Sequence, residues 1–308
     1  MKALVGAGGW GYFEGGLESY AKAFRFVELN VSFYRRVPEA QARRWRARVP
    51  AEFTFAVKVH REVTHRDRLR ATSAGREAFA HDLRIAELLR APFVILQTPP
   101  DLRLESPQVD GLRNLAAMAG PQTRIGLEAR AHARVPLPAE LRTVMSEAGI
   151  LDVVDLSQVR PRIDDDVVYS RLFGPGPENL YEFDDEELRK IDAAGRDAVR
   201  VAFTFHGVRM YKDAARFVTF KRTGEFPSAT GARGLASLDE ALRPDAHFPT
   251  SKAGLVRDHG WKVIDRDDRT RQHAYEWLSR LPDRAFRDLD DVISSLEDVP
   301  TIDRPATG

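Results

Sequence analysis

The sequence contains no cysteine, which excludes disulfide bonds, thiolate nucleophiles, cysteine-ligated zinc and iron–sulfur clusters. It also lacks an excess of one charge, because 47 Lys and Arg residues face 46 Asp and Glu residues. This balance gives no overall argument for binding nucleic acid or a membrane, although a local basic patch is compatible with it. No 18-residue apolar run occurs, and the apolar start of the chain is too short for a signal peptide. We therefore expect a cytoplasmic protein with no membrane partner.

The 308 residues are enough for one large domain, or for one large domain with a small appendage. Hydrophobic residues make up 43% and charged residues 30%, which is an ordinary globular balance rather than a disordered one. The chain can therefore bury a substantial core. Nothing in the composition predicts an oligomeric state.

Eight short segments have the pattern of β-strands, and helical segments separate most of them. The strand segments are Lys2–Val5, Phe26–Asn30, Phe53–His60, Pro92–Gln97, Arg124–Arg130, Leu151–Asp155, Val167–Arg171 and Arg200–His206. Alternating strands and helices predict the α/β class and a (β/α)8 TIM barrel over residues 1–222. A glycine-rich linker from Phe220 to Leu235 then leads to a small helical C-terminal module at 235–297.

The third strand segment shows how the barrel is expected to orient its side chains. Phe53, Phe55, Val57 and Val59 fall on one face, and small residues fall on the other. Bulky residues suit the face under the helices, and small residues suit the crowded barrel interior. Lys58 then lies on the inner face, at the C-terminal end of its strand, where barrel enzymes place their active sites.

Polar side chains recur at the inner, C-terminal ends of the predicted strands. They are Glu28, Asn30, Lys58, Gln97, Glu128, Arg130, Asp155, Arg171 and His206. Because parallel strands end at one mouth, these side chains are expected to converge there. Buried polar groups are costly unless they are paired or used, so the cluster indicates a functional site. A ring of salt bridges that closes the top of the barrel is the structural alternative.

The glycine-rich segment after the first strand, Gly6–Gly11, matches the dinucleotide-binding pattern G-x-G-x-x-G. That motif requires a helix that starts at its third glycine, so that the helix N-terminus can bind pyrophosphate. Only Leu17–Phe24 can be helical here, and we therefore expect an active-face loop and no NAD.

Several motifs together resemble the YecE-like proteins, domain-of-unknown-function family 72. They are Gly8-Gly9-Trp10 with Tyr12, Glu28–Arg35, Phe53–Lys58 with Thr64-His65, Leu96–Pro100, Glu128–Arg130 and Tyr169–Arg171. The resemblance implies a TIM barrel with its site among these residues, but no established reaction. Against the family pattern, Phe173 stands where histidine is common and His206 where asparagine is usual. Residues Phe248–Lys252 and Leu281–Phe286 are similar to the small helical domain-of-unknown-function family 2795.

The leading functional hypothesis is an enzyme acting on an anionic, phosphorylated or nucleotide-like ligand at the barrel mouth, by phosphoester hydrolysis or acid/base chemistry. Glu28 and Glu128 can form an acid/base pair, Lys58 can be a base or Schiff-base nucleophile, and His65 can carry protons. The ligand-binding candidates are Trp10, Tyr12, Asn30, Tyr34, Gln97, Arg130, Arg171 and His206. Among these, arginines suit phosphate or carboxylate, and Trp10 and Tyr34 suit stacking on a base or sugar.

Three alternatives stay open. A divalent metal ion is compatible with Glu28, Glu128 and Asp155, although the nearby cationic side chains oppose it and no ligand spacing is diagnostic. A metal-free lyase or isomerase can use Lys58 instead. A barrel that only binds nucleic acid or a nucleotide is the non-catalytic alternative.

Overall fold

Eight parallel strands form one sheet in the computed structural model, which describes residues 2–297. The strands are β1 (Lys2–Ala7), β2 (Phe26–Leu29), β3 (Thr54–Lys58), β4 (Phe93–Gln97), β5 (Arg124–Glu128), β6 (Leu151–Asp152), β7 (Val167–Leu172) and β8 (Arg200–Phe205). Their order is β6-β5-β4-β3-β2-β1-β8-β7, and a bridge between Val154 and Ser170 joins the two edges. The fold is a (β/α)8 TIM barrel, as predicted.

Helices follow most of the strands. They are α1 (Gly16–Ala23), α2 (Val31–Tyr34), α3 (Glu39–Ala47), α4 (Ser73–Leu89), α5 (Ser106–Ala116), α6 (Ala139–Glu147), α7 (Asp185–Ala194) and α8 (Met210–Thr223). Phe33 and Tyr34, which the sequence places in a loop, lie in the short helix α2. The crossover between β6 and β7 contains turns but no helix in the described chain, in agreement with its short length and with Pro161.

The inner face of the barrel is apolar below the mouth. Its buried cluster consists of Leu4, Phe26, Ala56, Phe93, Ile95, Leu151, Val153, Tyr169 and Ala202. Residues two positions further along a strand point to the same face. Glu28 above Phe26, Lys58 above Ala56 and Arg171 above Tyr169 therefore continue this interior toward the C-terminal ends of the strands.

The glycine-rich segment after β1 is a loop, and α1 begins at Gly16 rather than at Gly11. The helix that a dinucleotide motif needs at its third glycine is therefore not formed there. Close packing explains Gly6, because a Cβ atom at this position would lie 1.8 Å from the carbonyl oxygen of Phe26. The neighbouring strand leaves no room for a side chain.

The chain forms two compact units. One holds the barrel residues up to Pro175 together with Lys190–Val218, and the other holds Gly176–Arg189 and the residues from Thr219 onward. The sequence did not indicate that Gly176–Arg189 belongs with the C-terminal part, and the domain assignment at 1–222 and 235–297 stays a prediction. The linker begins later than expected, because α8 continues to Thr223.

The C-terminal unit is helical and also contains two small antiparallel sheets. Its remaining elements are α9 (Leu235–Leu242), β9 (Thr250–Ser251), α10 (Lys252–His259), β10 (Val263–Asp265), β11 (Arg271–His273), α11 (Tyr275–Leu278), β12 (Ala285–Phe286) and α12 (Leu289–Glu297). Strand β10 pairs with β11, and β12 pairs with β9. A separate apolar core includes Leu238, Leu255 and Phe286, as predicted. Across residues 2–297, no helix has the length and apolarity needed to cross a bilayer.

Candidate active site at the barrel mouth

Four charged side chains from four strands meet at the C-terminal end of the barrel. Glu28 comes from β2, Lys58 from β3, Glu128 from β5 and Arg171 from β7. We call these four residues the mouth cluster. The alternation along each strand brings them together, as expected, and their functional assignment stays a prediction.

Arg171 is the centre of the mouth cluster. Its Nη2 atom lies 3.0 Å from Oε1 of Glu28, and its Nη1 atom pairs with Oε2 of Glu128. The side chains of Arg171 and Glu28 are only 2% and 0% exposed. Burial alone would lower the pKa of Arg171, but Glu128 and Glu28 outweigh it and raise the pKa further above its usual range. The guanidinium is therefore permanently charged and pairs with both carboxylates.

Glu28 is held by more than this ion pair. The hydroxyl of Tyr169 donates a hydrogen bond of 2.9 Å to Oε2, and Arg171 Nε lies 3.2 Å from both carboxylate oxygens. Burial and the Glu28 carboxylate raise the pKa of Tyr169 well above its usual value. Because both oxygens of Glu28 have partners and no part of the side chain is exposed, this carboxylate has little freedom to contact a substrate.

Lys58 differs from Arg171 in having no close carboxylate. Its Nζ atom lies 4.1 Å from the ring centroid of Phe33, and among residues 2–297 no carboxylate lies within ion-pair distance. Burial and then Arg171 lower the pKa of Lys58 to about 7, against the opposing effects of Glu28 and Glu128. A large fraction of this amine is therefore neutral and nucleophilic at neutral pH.

His65 lies near Lys58, in a five-residue π-helical turn, Glu62–Arg66. Its Nδ1 atom is 2.9 Å from the hydroxyl of Thr64, and its ring meets Phe33 edge-on at 4.9 Å. Partial burial and then Lys58 lower the pKa of His65. The imidazole is neutral at neutral pH and can accept a proton.

His206 directly follows β8 and lies beside Glu28. Its Nε2 atom lies 3.1 Å from Oγ1 of Thr204 and 3.6 Å from Oε1 of Glu28. Its ring stacks on Phe173 at 4.8 Å, so two of the positions that differ from the expected family pattern contact each other. Burial, followed by Arg171 and Lys58, lowers the pKa of His206 well below its usual value. The side chain is a neutral imidazole.

Asn30, Gln97 and Arg130 complete the mouth. Asn30 donates from Nδ2 to the carbonyl of Gly8 at 2.9 Å, while its buried Oδ1 atom has no hydrogen-bond partner among residues 2–297. Gln97 is buried and lies in register with Glu128. Arg130 is 44% exposed, with Nε 3.9 Å from Oε1 of Glu128. Arg130 is therefore the arginine that remains accessible to a ligand.

The three aromatic side chains predicted to contact a ligand lie in different parts of the barrel. The ring of Trp10 meets Trp45 at 5.2 Å and Phe55 at 6.4 Å, in the layer between β3 and its covering helices. Tyr12 is 92% exposed in the loop after β1, and Tyr34 is 64% exposed at the end of α2. Stacking of a ligand on these three side chains stays a prediction.

The metal candidates of the mouth have other partners in the structure, and their role as metal ligands stays a prediction. Asp155 accepts hydrogen bonds from the backbone N–H groups of Ser157, Phe173 and Gly174 at 2.9 to 3.0 Å, so its carboxylate organises loops. Glu28 and Glu128 pair with Arg171. Among residues 2–297, the carboxylate and imidazole groups close enough to share a metal ion are instead Asp184, Glu187 and His273, in the C-terminal unit.

Sequence reasoning missed two features. Tyr169 was identified only as part of a family motif, although its position two residues before Arg171 places both on one face. The second feature is the association of His273 with Asp184 and Glu187. The spacing Asp184-x-x-Glu187 is a capping-box pattern that the sequence shows, but nothing in the sequence indicates that the distant His273 contacts it.

A sequence profile of the DUF72 family, described as a protein of unknown function, matches residues 12–238. The chain belongs to this family. The DUF72 match confirms the resemblance for the barrel, whereas the similarity of the C-terminal module to family 2795 stays a prediction. No curated protein matches the sequence.

Two solved DUF72 structures are similar in fold. A DUF72 family protein of Enterococcus faecalis is 16% identical, with a TM-score of 0.57 over 72% of this chain and 98% of its own. A DUF72 family protein of Thermotoga maritima is 19% identical, with a TM-score of 0.56 over 72% of this chain and 100% of its own. At these identities the likeness shows the barrel fold alone.

Proposed function

We propose that this DUF72 protein is an enzyme that performs acid/base chemistry on a small anionic ligand at the barrel mouth, with Lys58 as the reactive amine. The observation that carries the proposal is the position of the Lys58 amine, which is buried against the ring of Phe33 and has no carboxylate within ion-pair distance among residues 2–297. Such burial lowers the pKa of Lys58 to about 7, so that a substantial fraction of the amine is neutral. Such an amine can remove a proton or attack a carbonyl carbon at neutral pH. This is the metal-free lyase or isomerase alternative, which the geometry supports best.

The carboxylates then have different roles. Glu28 is fully buried and bonded to Tyr169 and Arg171, so we assign it to positioning rather than to proton transfer. Glu128 is 16% exposed and can reach a bound ligand as an acid or base. Metal-dependent phosphoester hydrolysis is less well supported at this mouth, because Arg171 pairs with both glutamates.

The charge around Lys58 favours an anionic ligand. Arg130 is accessible and close to the mouth, and it acts electrostatically on both Lys58 and His65. Arginine can bind a carboxylate or phosphate through two parallel hydrogen bonds. The Oδ1 atom of Asn30 is buried without a hydrogen-bond partner among residues 2–297, so a ligand hydroxyl could donate to it.

The proposal predicts that Lys58 forms an imine with an anionic carbonyl compound. The amine adds to the carbonyl carbon, and loss of water leaves a C=N bond that borohydride reduces to a stable secondary amine. Incubation with pyruvate or glyceraldehyde 3-phosphate followed by borohydride should label Lys58, as shown by mass spectrometry of peptides. A neutral probe such as acetone should label it at least tenfold less, because Arg130 contributes only to anion binding.

Two variants make this test specific. Lys58→Met should lose the adduct, whereas Lys22→Met, which removes an exposed lysine on α1, should keep it. Equal labelling of Lys58 and the exposed lysines, or no adduct at Lys58 with either probe, would remove the Schiff-base branch of the proposal. A base-only role for Lys58 would then be tested by deuterium exchange of the same carbonyl compounds in D2O.

A second candidate function is binding of a nucleic-acid strand without turnover. Tyr12 and Tyr34 are strongly exposed, and Arg35 and Arg61 are exposed in loops at the same end of the barrel. Exposed aromatic and arginine side chains suit single strands, whose bases stack and whose phosphates need cations. Fluorescence anisotropy with single-stranded DNA and RNA should then show salt-dependent binding. Tyr12→Ala should weaken it, and Tyr275→Ala in the C-terminal unit is the control.

A further inference from the structure

The C-terminal unit holds a cluster that the mouth chemistry does not use. Asp184 precedes α7, Glu187 lies in its first turn, and His273 ends β11. We call these three residues the histidine cluster. One ligand atom from each lies within 4.8 Å of the others, and Nε2 of His273 is 3.1 Å from Oε2 of Glu187 and 4.0 Å from Oδ2 of Asp184.

The backbone around His273 fixes which ring nitrogen faces the acids. Its Nδ1 atom lies 3.2 Å from the carbonyl oxygen of Trp261, which can only accept a hydrogen bond. Nδ1 therefore carries a hydrogen, and Nε2 faces the carboxylates of Asp184 and Glu187. Without a metal ion Nε2 donates a hydrogen bond to Glu187, and a bound ion would take the place of that hydrogen. A hydrogen bond from the distal nitrogen to a carbonyl is the usual way in which proteins orient a metal-binding histidine.

The two carboxylates are held in place as well. Glu187 N–H donates to Oδ1 of Asp184, and Asp184 N–H donates to Oε2 of Glu187, both at 2.9 Å. The hydroxyl of Tyr181 donates to the other oxygen of Glu187. A capping box and an ion pair to His273 account for part of this arrangement. These interactions do not balance the charge of the three residues, because two carboxylates lie beside one imidazole. The three side chains together are therefore negatively charged even when His273 is protonated.

The cluster is open to small ligands on one side. Asp184 and His273 line a cavity of about 630 Å³ in the same unit, whose wall also includes five arginine residues. The side chains of Asp184 and His273 are 21% and 17% exposed, so an ion can enter without local unfolding. Three protein ligands would leave coordination positions free for water or a small anion from this cavity.

We propose that Asp184, Glu187 and His273 bind a divalent transition-metal ion, with Zn²⁺ as its test species. One imidazole nitrogen and two carboxylate oxygens form a mixed donor set that suits zinc and its first-row neighbours. The imidazole makes the site less suited to Ca²⁺ or Mg²⁺, which prefer oxygen ligands only. This site is independent of the proposed chemistry at the mouth.

The full chain, freed of metal with a chelator, should bind one equivalent of Zn²⁺ in isothermal titration calorimetry at pH 7.5. His273→Gln should lower the affinity at least tenfold, because a metal ligand is lost. The control is His247→Gln, which removes an exposed histidine from the same unit and should leave the affinity unchanged.

Asp184→Asn separates metal binding from the structural role of the capping box. Asparagine is as good an N-terminal cap as aspartate, so the melting temperature of the metal-free chain should change little. Its weaker, uncharged oxygen should still lower Zn²⁺ affinity at least tenfold. The proposal is overturned if 100 µM Zn²⁺ gives no stoichiometric binding, or if His273→Gln and Asp184→Asn bind as His247→Gln does. A folded Asp184→Asn chain keeps the test valid if His273→Gln does not fold.

Discussion

The mouth cluster and the histidine cluster each contain two carboxylates, but they differ in what surrounds them. At the mouth, Glu28 and Glu128 share Arg171, and Lys58 adds a second basic group. In the histidine cluster, the two carboxylates have one imidazole between them. Burial differs too, since the side chain of Arg171 is 2% exposed and that of Glu187 is 29% exposed.

The difference indicates that the ratio of cations to carboxylates, rather than the presence of acids, decides what a cluster can bind. At the mouth, two guanidinium groups balance the two carboxylates, because Arg171 pairs with Glu28 and Glu128 and Arg130 lies 3.9 Å from Glu128. The amine of Lys58 is then left without a carboxylate partner, and the exposed Arg130 can also contact an anion. The histidine cluster has an acid in excess, which attracts a cation. The same residue types therefore support opposite ligands, and three substitutions probe this contrast.

The largest effect is expected for Arg171→Met. It leaves two carboxylates at the mouth without their shared cation, and removing one partner of a buried pair typically costs about 3–5 kcal/mol of unfolding free energy. Urea denaturation followed by the fluorescence of Trp10 and Trp45, in a background where Trp261 and Trp277 are phenylalanine, measures this for the barrel. The control is Arg36→Met, which breaks an exposed pair with Glu77 and should cost less than about 1 kcal/mol.

A double variant sharpens this prediction. Glu28→Gln combined with Arg171→Met removes one of the two stranded charges and should recover part of the loss, because the penalty comes from unpaired buried charge. A loss below about 1 kcal/mol in Arg171→Met would contradict the assignment of Arg171 as the charge that holds the mouth together.

An effect of opposite sign is expected for Lys58→Met, which should stabilise the chain at pH 6 by at most roughly 5 kcal/mol, the free energy that corresponds to lowering the pKa of Lys58 from 10.5 to about 7. Below pH 7 the amine is charged in both states, so the folded state bears the full cost of burying it. Between pH 7 and 10.5 the folded amine is neutral while the unfolded chain is still protonated, so the cost declines. Above pH 10.5 the amine is neutral in both states, so the cost of burying its charge vanishes and Lys58→Met is no longer more stable than the original protein on this account.

The unfolding free energies of the original protein and of Lys58→Met, measured between pH 6 and 10, test whether the stabilisation declines as the pH rises. Lys22→Met, in which an exposed lysine is lost, should show no such pH dependence. A stabilisation that is constant across this range would mean that the pKa of Lys58 is near its ordinary value, and the nucleophile proposed for the mouth would lose its support.

The barrel and its mouth could be predicted because both depend on a local rule. Alternation along β3 places Phe55 outside and Lys58 inside, and parallel strands carry the inner residues to one end. The pairing within the mouth could not be predicted. That Arg171 pairs with both Glu28 and Glu128 depends on side-chain conformations and on strand register across distant segments. The catalytic role that the sequence predicts for Glu28 stays a prediction, and the positioning role follows only from the function proposed above.

The C-terminal unit shows a second limit of sequence reasoning. The acids at the start of α7 indicate a helix start, and the structure has one at Asp185. Their third partner, His273, lies on a three-residue strand whose pairing with β10 is too short to leave a periodic signal. Tertiary contacts determine where such short strands form. A site residue on a short strand therefore cannot be predicted from the local sequence pattern.

The smallest effect is expected for Glu187→Gln, in chelator-treated protein. Glutamine can serve in the capping box as glutamate does, so only the charge next to His273 is lost. Because the pair is partly exposed, the cost should be about 1 kcal/mol or less in the fluorescence-monitored unfolding of Trp261 and Trp277. A cost equal to that of Arg171→Met would mean that the acid is already neutralised by a buried partner. In that case the surplus charge that distinguishes the histidine cluster from the mouth would not exist.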